Sequence, residues 1–319
     1  MKHLVFYDEN KRNQKDALRI LSATGFHVIA PQSLIELAST TSSANVLLYV
    51  LDLKGHRYLS EQDMLPAKTP SIILSKEGFE AIHPYLRSMP RFSNFIAKDS
   101  EDRFNERDLL CTVVKILRND IFGIEKYLDW GAYSSELWVR DSNLRQEYID
   151  CQKRLVGDMG LRRSTIEAIQ VVSEEFLMNA LYDAPVDADT GKQLYGTIER
   201  KNQVILPPEQ AVRYQIGSDG KRIVIAVTDP FGSITKDKVI RYLAKCYGED
   251  KKANIGQDRS TAGAGLGLFF CFNYVHSLII NLNSGQKTEF IGIVEIDNKA
   301  KASQSCKTHF HFFKGPSDA

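Results

Sequence analysis

Five short apolar runs punctuate the first hundred residues: 3–7, 26–29, 45–51, 71–74 and 94–97. More polar, helix-compatible stretches lie between them, and in 13–23 Ala17, Leu18, Ile20 and Leu21 supply the apolar positions. This alternation predicts an α/β domain built on a parallel sheet. The third run is apolar throughout from Val46 to Leu51, as suits a central strand covered on both faces. Next, Leu109, Val113, Ile116, Leu117, Ile121, Ile124 and Leu128 recur at three- and four-residue spacing. They predict a connecting helix over about 102–128 with one apolar face. That stripe fits packing on its own domain or pairing with a second copy, so a homodimer stays open. Residues 130–135 read as a break.

From Glu136 the pattern changes. A short strand at 136–140 precedes a helical segment at about 142–158, and Ser164-Thr-Ile-Glu167 has capping-box spacing for a second helix that Pro185 stops. Ala211–Thr228 reads as two strands joined at Gly217-Ser-Asp-Gly220, and further strands are expected at 278–283, 289–296 and 307–313. Helices on one face of a mixed sheet, an α+β layer, are the expectation for this half.

Length and composition fit this division. At roughly 150 residues per domain, 319 residues make about two domains. With 43% hydrophobic and 25% charged residues, the composition is that of globular protein. A formal charge of +1 gives no overall electrostatic reason to expect nucleic acid or an anionic membrane as partner. The N-terminal segment turns acidic by Asp8 and lacks the apolar core of a signal peptide. Gly265–Leu282 is interrupted by Gly267, Asn273 and His276 and reads as a buried helix running into a strand. The cysteines are odd in number and form no CxxC pair, which suits a reduced, cytoplasmic compartment.

Polar residues sit where four of the first five strands end. Asp8 and Glu9 follow the first, Asp52 ends the third, Ser75 the fourth and Lys98 the fifth. In a parallel sheet these ends share one edge, where ligands gather. Clustered carboxylates at Asp8, Glu9 and Asp52 suggest Mg²⁺, and Asp52 is then placed to take a phosphoryl group as nucleophile, with Ser75 and Lys98 on the transferred oxygens. The set, over 1–101, resembles the receiver domain of response regulators. The resemblance implies a flavodoxin-like fold with Asp52 as phosphoacceptor; a pseudo-receiver that only binds a partner is the alternative. Lys98 is followed by Asp99, where that family usually has Pro.

Three segments of the second half carry further chemistry. Glu175 and Asn179 lie four residues apart on the second helix and project together, with Asp183 continuing the line. Such a carboxylate and amide suit Mg²⁺ and a water. Asp229 ends an apolar strand ahead of Pro230-Phe-Gly232, placed to accept a hydrogen bond from an exocyclic amine such as that of adenine. Gly263, Gly265 and Gly267 precede a helix, where backbone N–H groups and the helix dipole favour phosphate.

In this order the three resemble the N box, first glycine box and second glycine box of the GHKL, or Bergerat-fold, ATPase superfamily, over about 135–315. The anti-sigma-factor serine kinases look closest, through the pattern ExxxNA at Glu175–Ala180. Asp183 stands where those kinases usually have His, and Asp229-Pro-Phe-Gly-Ser233 replaces the usual DxGxG. The resemblance implies that Asn179 coordinates Mg²⁺ with ATP, that Glu175 positions or activates the attacking group, and that Asp229 binds adenine. It also implies that 235–262 forms a lid. The histidines are at 3, 27, 56, 83, 276, 309 and 311 only, so none falls in the connector or the first two helices of the second half, where a histidine autokinase needs its phosphorylatable His; this argues against a conventional histidine autokinase.

The expectation is therefore a cytoplasmic signalling protein: a receiver-like domain at 1–101, a helical connector at 102–134 and a GHKL ATPase-like domain at 135–319. ATP and Mg²⁺ are its cofactors. A protein partner, such as an anti-anti-sigma-like or sigma-like regulator, takes phosphate on Ser or Thr. The alternatives are a non-catalytic, nucleotide-dependent binding module and a degenerate dimeric scaffold.

Overall fold

The computed structural model describes residues 2–66, 68–89, 93–157, 159–187, 189–245, 266–296 and 307–315. The chain forms two compact units. One takes in the chain as far as Ile121 plus the C-terminal strand through Phe313; the other begins at Phe122.

In the first unit, β1 (His3–Tyr7), β2 (His27–Ile29), β3 (Val46–Asp52), β4 (Ser71–Ser75) and β5 (Ser93–Ala97) all pair in parallel, in the order β2-β1-β3-β4-β5. That order is the flavodoxin-like one of doubly wound sheets. Strand alternation sends Val5, Tyr7, Tyr49 and Leu51 to one face, where they pack with Leu37 of α2 (Leu34–Ser43) and Leu59 of α3 (Leu53–Glu61). On the other face Phe6 meets Phe104, and α1 (Lys11–Ser22) packs on α5 (Glu106–Arg118). The helix α4 (Phe79–Ser88) lies against β5.

The connecting helix expected over 102–128 is shorter. Asn105 caps α5 by accepting from the N–H groups of Arg107 and Asp108. Asn119 ends it at φ +53°, a left-handed conformation that Asn tolerates better than most residues. The apolar spacing that continues to Leu128 belongs to a separate 3₁₀ turn, Ile124–Tyr127, in the second unit.

The strand expected at 307–313 is β11 (His309–Lys314), and its place is a second correction. Through Phe313 it belongs to the first unit, where it runs antiparallel to β5, pairing Phe310 with Phe95 and Phe312 with Ser93. Phe310 packs against Phe79, the His311 ring nitrogen Nδ1 lies 3.1 Å from Asn94 Oδ1, and the Lys115 ammonium sits 3.8 Å from the centre of the Phe313 ring. Burying two aromatic side chains and matching polar groups on β5 outweighs sequence proximity.

In the second unit, β6 (Tyr133–Val139), β7 (Val212–Ser218), β8 (Arg222–Asp229), β9 (Ser277–Asn283) and β10 (Lys287–Glu295) pair in the order β9-β10-β8-β7-β6. All four pairings are antiparallel, so the expected mixed sheet is corrected too: hairpins join β7 to β8 and β9 to β10, and hairpins pair antiparallel. One face carries α6 (Arg145–Gly157), α7 (Arg163–Met178) and α9 (Leu266–Tyr274). There the Tyr214 hydroxyl donates to Ser173 at 2.7 Å, and Gly292 leaves room for Val172 and Phe176. α7 begins at Arg163 with Arg162 in the cap position, so Ser164 lies inside the first turn and makes no capping box. On the opposite face Ile124 and Leu128 close over Gly217. The buried Glu289 accepts from the Gly123 N–H at 3.0 Å and from Asn281 at 2.8 Å, fixing the entry of the chain to this unit. Among the described residues no helix is long and apolar enough to cross a membrane.

Candidate functional site

The strand ends of the first unit open on a cavity of about 540 Å³ whose lining includes Asp8, Glu9, Asp52, Ser75, Lys98 and Asp102. The sequence-predicted residues are thus together, and all but Glu9 are buried. Most of their polar atoms already have partners. Lys98 Nζ lies 2.8 Å from Asp8 Oδ2 and 3.3 Å from Asp102 Oδ1. Asp8 accepts from the Asn10 N–H and from Asn13 Nδ2, each at 2.9 Å. Glu9 turns to Lys54 at 2.5 Å, and Ser75 Oγ accepts from the Glu77 N–H at 2.9 Å.

Asp52 is the N-cap of α3. Oδ1 accepts from the Gly55 N–H at 2.7 Å and Oδ2 from the Glu9 N–H at 2.9 Å. Strand therefore passes into helix with no intervening loop, which is how a whole helix fits between β3 and β4. Burial pushes the Asp52 carboxyl up and Asp8 adds to it, against the two N–H groups and Lys98, which pull it down. Tyr7 is pushed up to about 12, first by burial and then by Asp52, Glu9 and Asp8, so the field at this edge is negative. Asn13 and Asp102, which carry no strand-end signal, are the residues that sequence reasoning missed here.

In the second unit, α7 ends at Met178 and the chain makes a π-helical turn from Asn179 to Asp183, with the Ala184 N–H returning to the Asn179 carbonyl. Single π turns of this kind are frequent at functional sites. The turn breaks the line from Glu175 through Asn179 to Asp183 expected of a regular helix. Asp183 instead pairs with Arg200 at 2.7 Å. Glu175 and Asn179 are half-buried, and among the described residues neither side chain makes a hydrogen bond. Burial pushes the Glu175 carboxyl up, Arg200 opposes this, and Glu174 and Asp183 reinforce it.

Gly267, at the start of α9, lies against that carboxylate: a β-carbon there would overlap the Glu175 side chain. Gly263 and Gly265, with 246–262 of the expected lid, lie outside the described residues; the rest of that stretch includes α8 (Lys236–Lys245).

Asp229 is buried at the end of β8, opposite Thr288 on β10. Its Oδ1 accepts from the N–H groups of Phe231 at 2.9 Å and Gly232 at 3.3 Å. Burial nevertheless pushes it up to about 6. Gly232 has φ +58° and packs on the β9–β10 turn, where its carbonyl accepts from the Gly285 N–H; a β-carbon would strike backbone atoms of 283–286. The departure from DxGxG thus yields a closed turn in which the glycine is required. Arg200 and Thr288 were missed in this unit, because neither stands at a periodic spacing from the residues it meets.

No protein-family model and no curated protein sequence matches this chain. Among solved structures, it is similar to the Francisella response regulator 1452 receiver domain, at 20% identity over 37% of this chain and 98% of that one, with a TM-score of 0.30. It is also similar to a fusion carrying the yeast Spc42 trimeric coiled coil, at 14% identity over 49% of this chain and 95% of that one, with a TM-score of 0.32.

Proposed function

We propose that this chain is a signalling protein whose second unit binds MgATP as a GHKL-type site and whose first unit is a receiver-like regulator. One observation carries the reading: Glu175 and Asn179 stand one turn apart without hydrogen-bond partners among the described residues, while Gly267 lies against the carboxylate. A half-buried carboxylate and amide side by side, with no protein partner among the described residues, suit a metal ion and its water. Mg²⁺ with ATP supplies a γ-phosphoryl group and offsets its charge. Asn179 Oδ1 is the ligand oxygen offered to the metal. Glu175, held above the ordinary carboxylate range, is the better base for taking the proton of a Ser or Thr hydroxyl on a partner protein. Asp229 lines the adenine side. In the first unit, Asp52 is the acceptor atom set, and Lys98 bridges Asp8 to Asp102 beside it.

The test is phosphate transfer from labelled ATP to a candidate partner, for instance an anti-anti-sigma-like or sigma-like regulator. Wild type should label Ser or Thr, while Asn179→Ala and Glu175→Gln should not. Labelling that survives both substitutions removes the catalytic assignment.

A second reading is a nucleotide-dependent binding module without catalysis. The Asp229 turn favours it, since Oδ1 is already shared between two backbone N–H groups. It is distinguished by saturable MgATP binding and partner capture with no phosphate on the partner.

A further inference from the structure

Arg200, a cation that the nucleotide reading has not used, is tied to the π-helical turn itself. Its Nη1 donates to the Met178 carbonyl at 3.1 Å and its Nη2 to Asp183 Oδ2 at 2.7 Å. The guanidinium lies over the Tyr182 ring, 5.1 Å from its centre. Tyr182 in turn reaches back to the same loop: its hydroxyl lies 2.7 Å from the Asn202 carbonyl and 3.2 Å from that of Arg200. Loop and π-helical turn therefore hold each other through both ends of one tyrosine. An arginine fixed in this way has little rotamer freedom left to lose when it takes a ligand. A guanidinium carries five N–H donors in a planar fork, and the contacts to Met178 and Asp183 leave donors for an oxyanion.

The charge balance around Glu175 adds to this. Glu174 and Asp183 push its carboxyl up, and among the described residues Arg200 is a cation that pulls it down. A polyphosphate arriving beside these carboxylates meets repulsion unless a fixed cation faces it.

We infer that Arg200 is the polyphosphate-binding cation of the nucleotide site and that Asp183 competes with the phosphates for its guanidinium. This rests on the nucleotide reading above. The competition explains why an acidic residue at 183 is compatible with a polyphosphate site: it holds the arginine in place and gives it up to a stronger anion.

Calorimetry on the full chain, with MgATP and with adenosine, tests the inference. In Arg200→Gln, MgATP affinity should fall by about 10- to 100-fold, the loss of charge-assisted hydrogen bonds, while adenosine affinity stays within about twofold. Arg200→Lys should recover part of the loss. In Asp183→Asn, MgATP should bind about two- to fivefold more tightly, because a competing carboxylate is gone. Unchanged MgATP affinity in Arg200→Gln, or a parallel loss of both ligands, overturns the assignment. So does weaker MgATP binding in Asp183→Asn, the sign expected of a bridge with a structural role only. The Asp183 variant decides the matter if the Arg200 variants fail to fold. Wild type that binds neither ligand defeats the nucleotide reading itself, a result distinct from wild type that binds MgATP with no contribution from Arg200.

Discussion

Gly267 on α9 faces the carboxylate of Glu175 on α7 so closely that a β-carbon at 267 would occupy the volume of the acid. Two helices far apart in sequence thus meet at one side chain that makes no hydrogen bond among the described residues.

Gly267→Ala should therefore push the Glu175 carboxylate out of its present position. The overlapping atoms are the end of a flexible, half-buried side chain that can swing aside, so the gain of roughly 0.5–1 kcal/mol in helix propensity for alanine over glycine is largely kept. Thermal melts should show an unchanged or slightly raised midpoint, while displacement of Glu175 should weaken MgATP binding about tenfold or more. Unchanged MgATP binding would show that the nucleotide does not depend on where this carboxylate sits.

Asp229→Asn should make the second unit more stable at pH 7. The folded carboxyl titrates at about 6 against an ordinary 3.8. Below the ordinary value both states are protonated and burial of the charge costs nothing. As pH rises from about 4 to about 6 the unfolded chain ionises first, so stability falls, by at most about 3 kcal/mol. Asparagine keeps the Oδ1 acceptor for Phe231 and Gly232 and carries no charge. Urea melts followed by tryptophan fluorescence read this unit, since Trp130 and Trp138 both belong to it. Wild type and variant should converge near pH 4 and separate above pH 6.

His56 runs the opposite way in the first unit. Burial lowers it to about 4 from 6.5, so it is neutral in both states above the ordinary value and its full contribution is present there. As pH falls from about 6.5 to 4 the unfolded chain takes up the proton first and stability is lost, by up to about 3 kcal/mol. Hydrogen exchange of the β3 and β4 amides should show this loss in wild type, with a flatter profile in His56→Gln. Equal profiles would mean that the imidazole is charged when folded.

Lys98→Met should cost the first unit about 3–5 kcal/mol, because it strands a buried Asp8 carboxylate. Mg²⁺ should then restore stability, and more in the variant than in wild type, if the acidic edge accepts a divalent cation. Thermal melts with and without Mg²⁺ measure the difference. An equal or absent Mg²⁺ effect in both proteins counts against a cation site.

The five strands of the first unit were legible because each is a compact apolar run, four of them with a polar residue at the end, and β1 and β4 fall within a residue of expectation. The limit of α5 was not. The three- and four-residue apolar spacing runs straight through Asn119, and only the backbone there shows that it serves two separate elements. Position of β11 was hidden for a different reason: strandedness is local, whereas the choice of β5 as neighbour rests on Phe310 meeting Phe79 and on Asn94 meeting His311. Likewise Glu175 and Asn179 were visible through helical spacing, but the π turn that redirects Asp183 to Arg200 leaves no trace in periodicity.

The strand order of the first unit has a consequence for biosynthesis. Its last strand comes from residues 309–314, so the ribosome delivers the whole second unit before β5 receives that neighbour. Until then the nascent β5 presents bare amide and carbonyl groups, a surface on which other nascent chains can aggregate. A fragment cut after Ile121 inherits the same exposed margin permanently, so soluble expression of this unit calls for a graft of 307–315 onto its end.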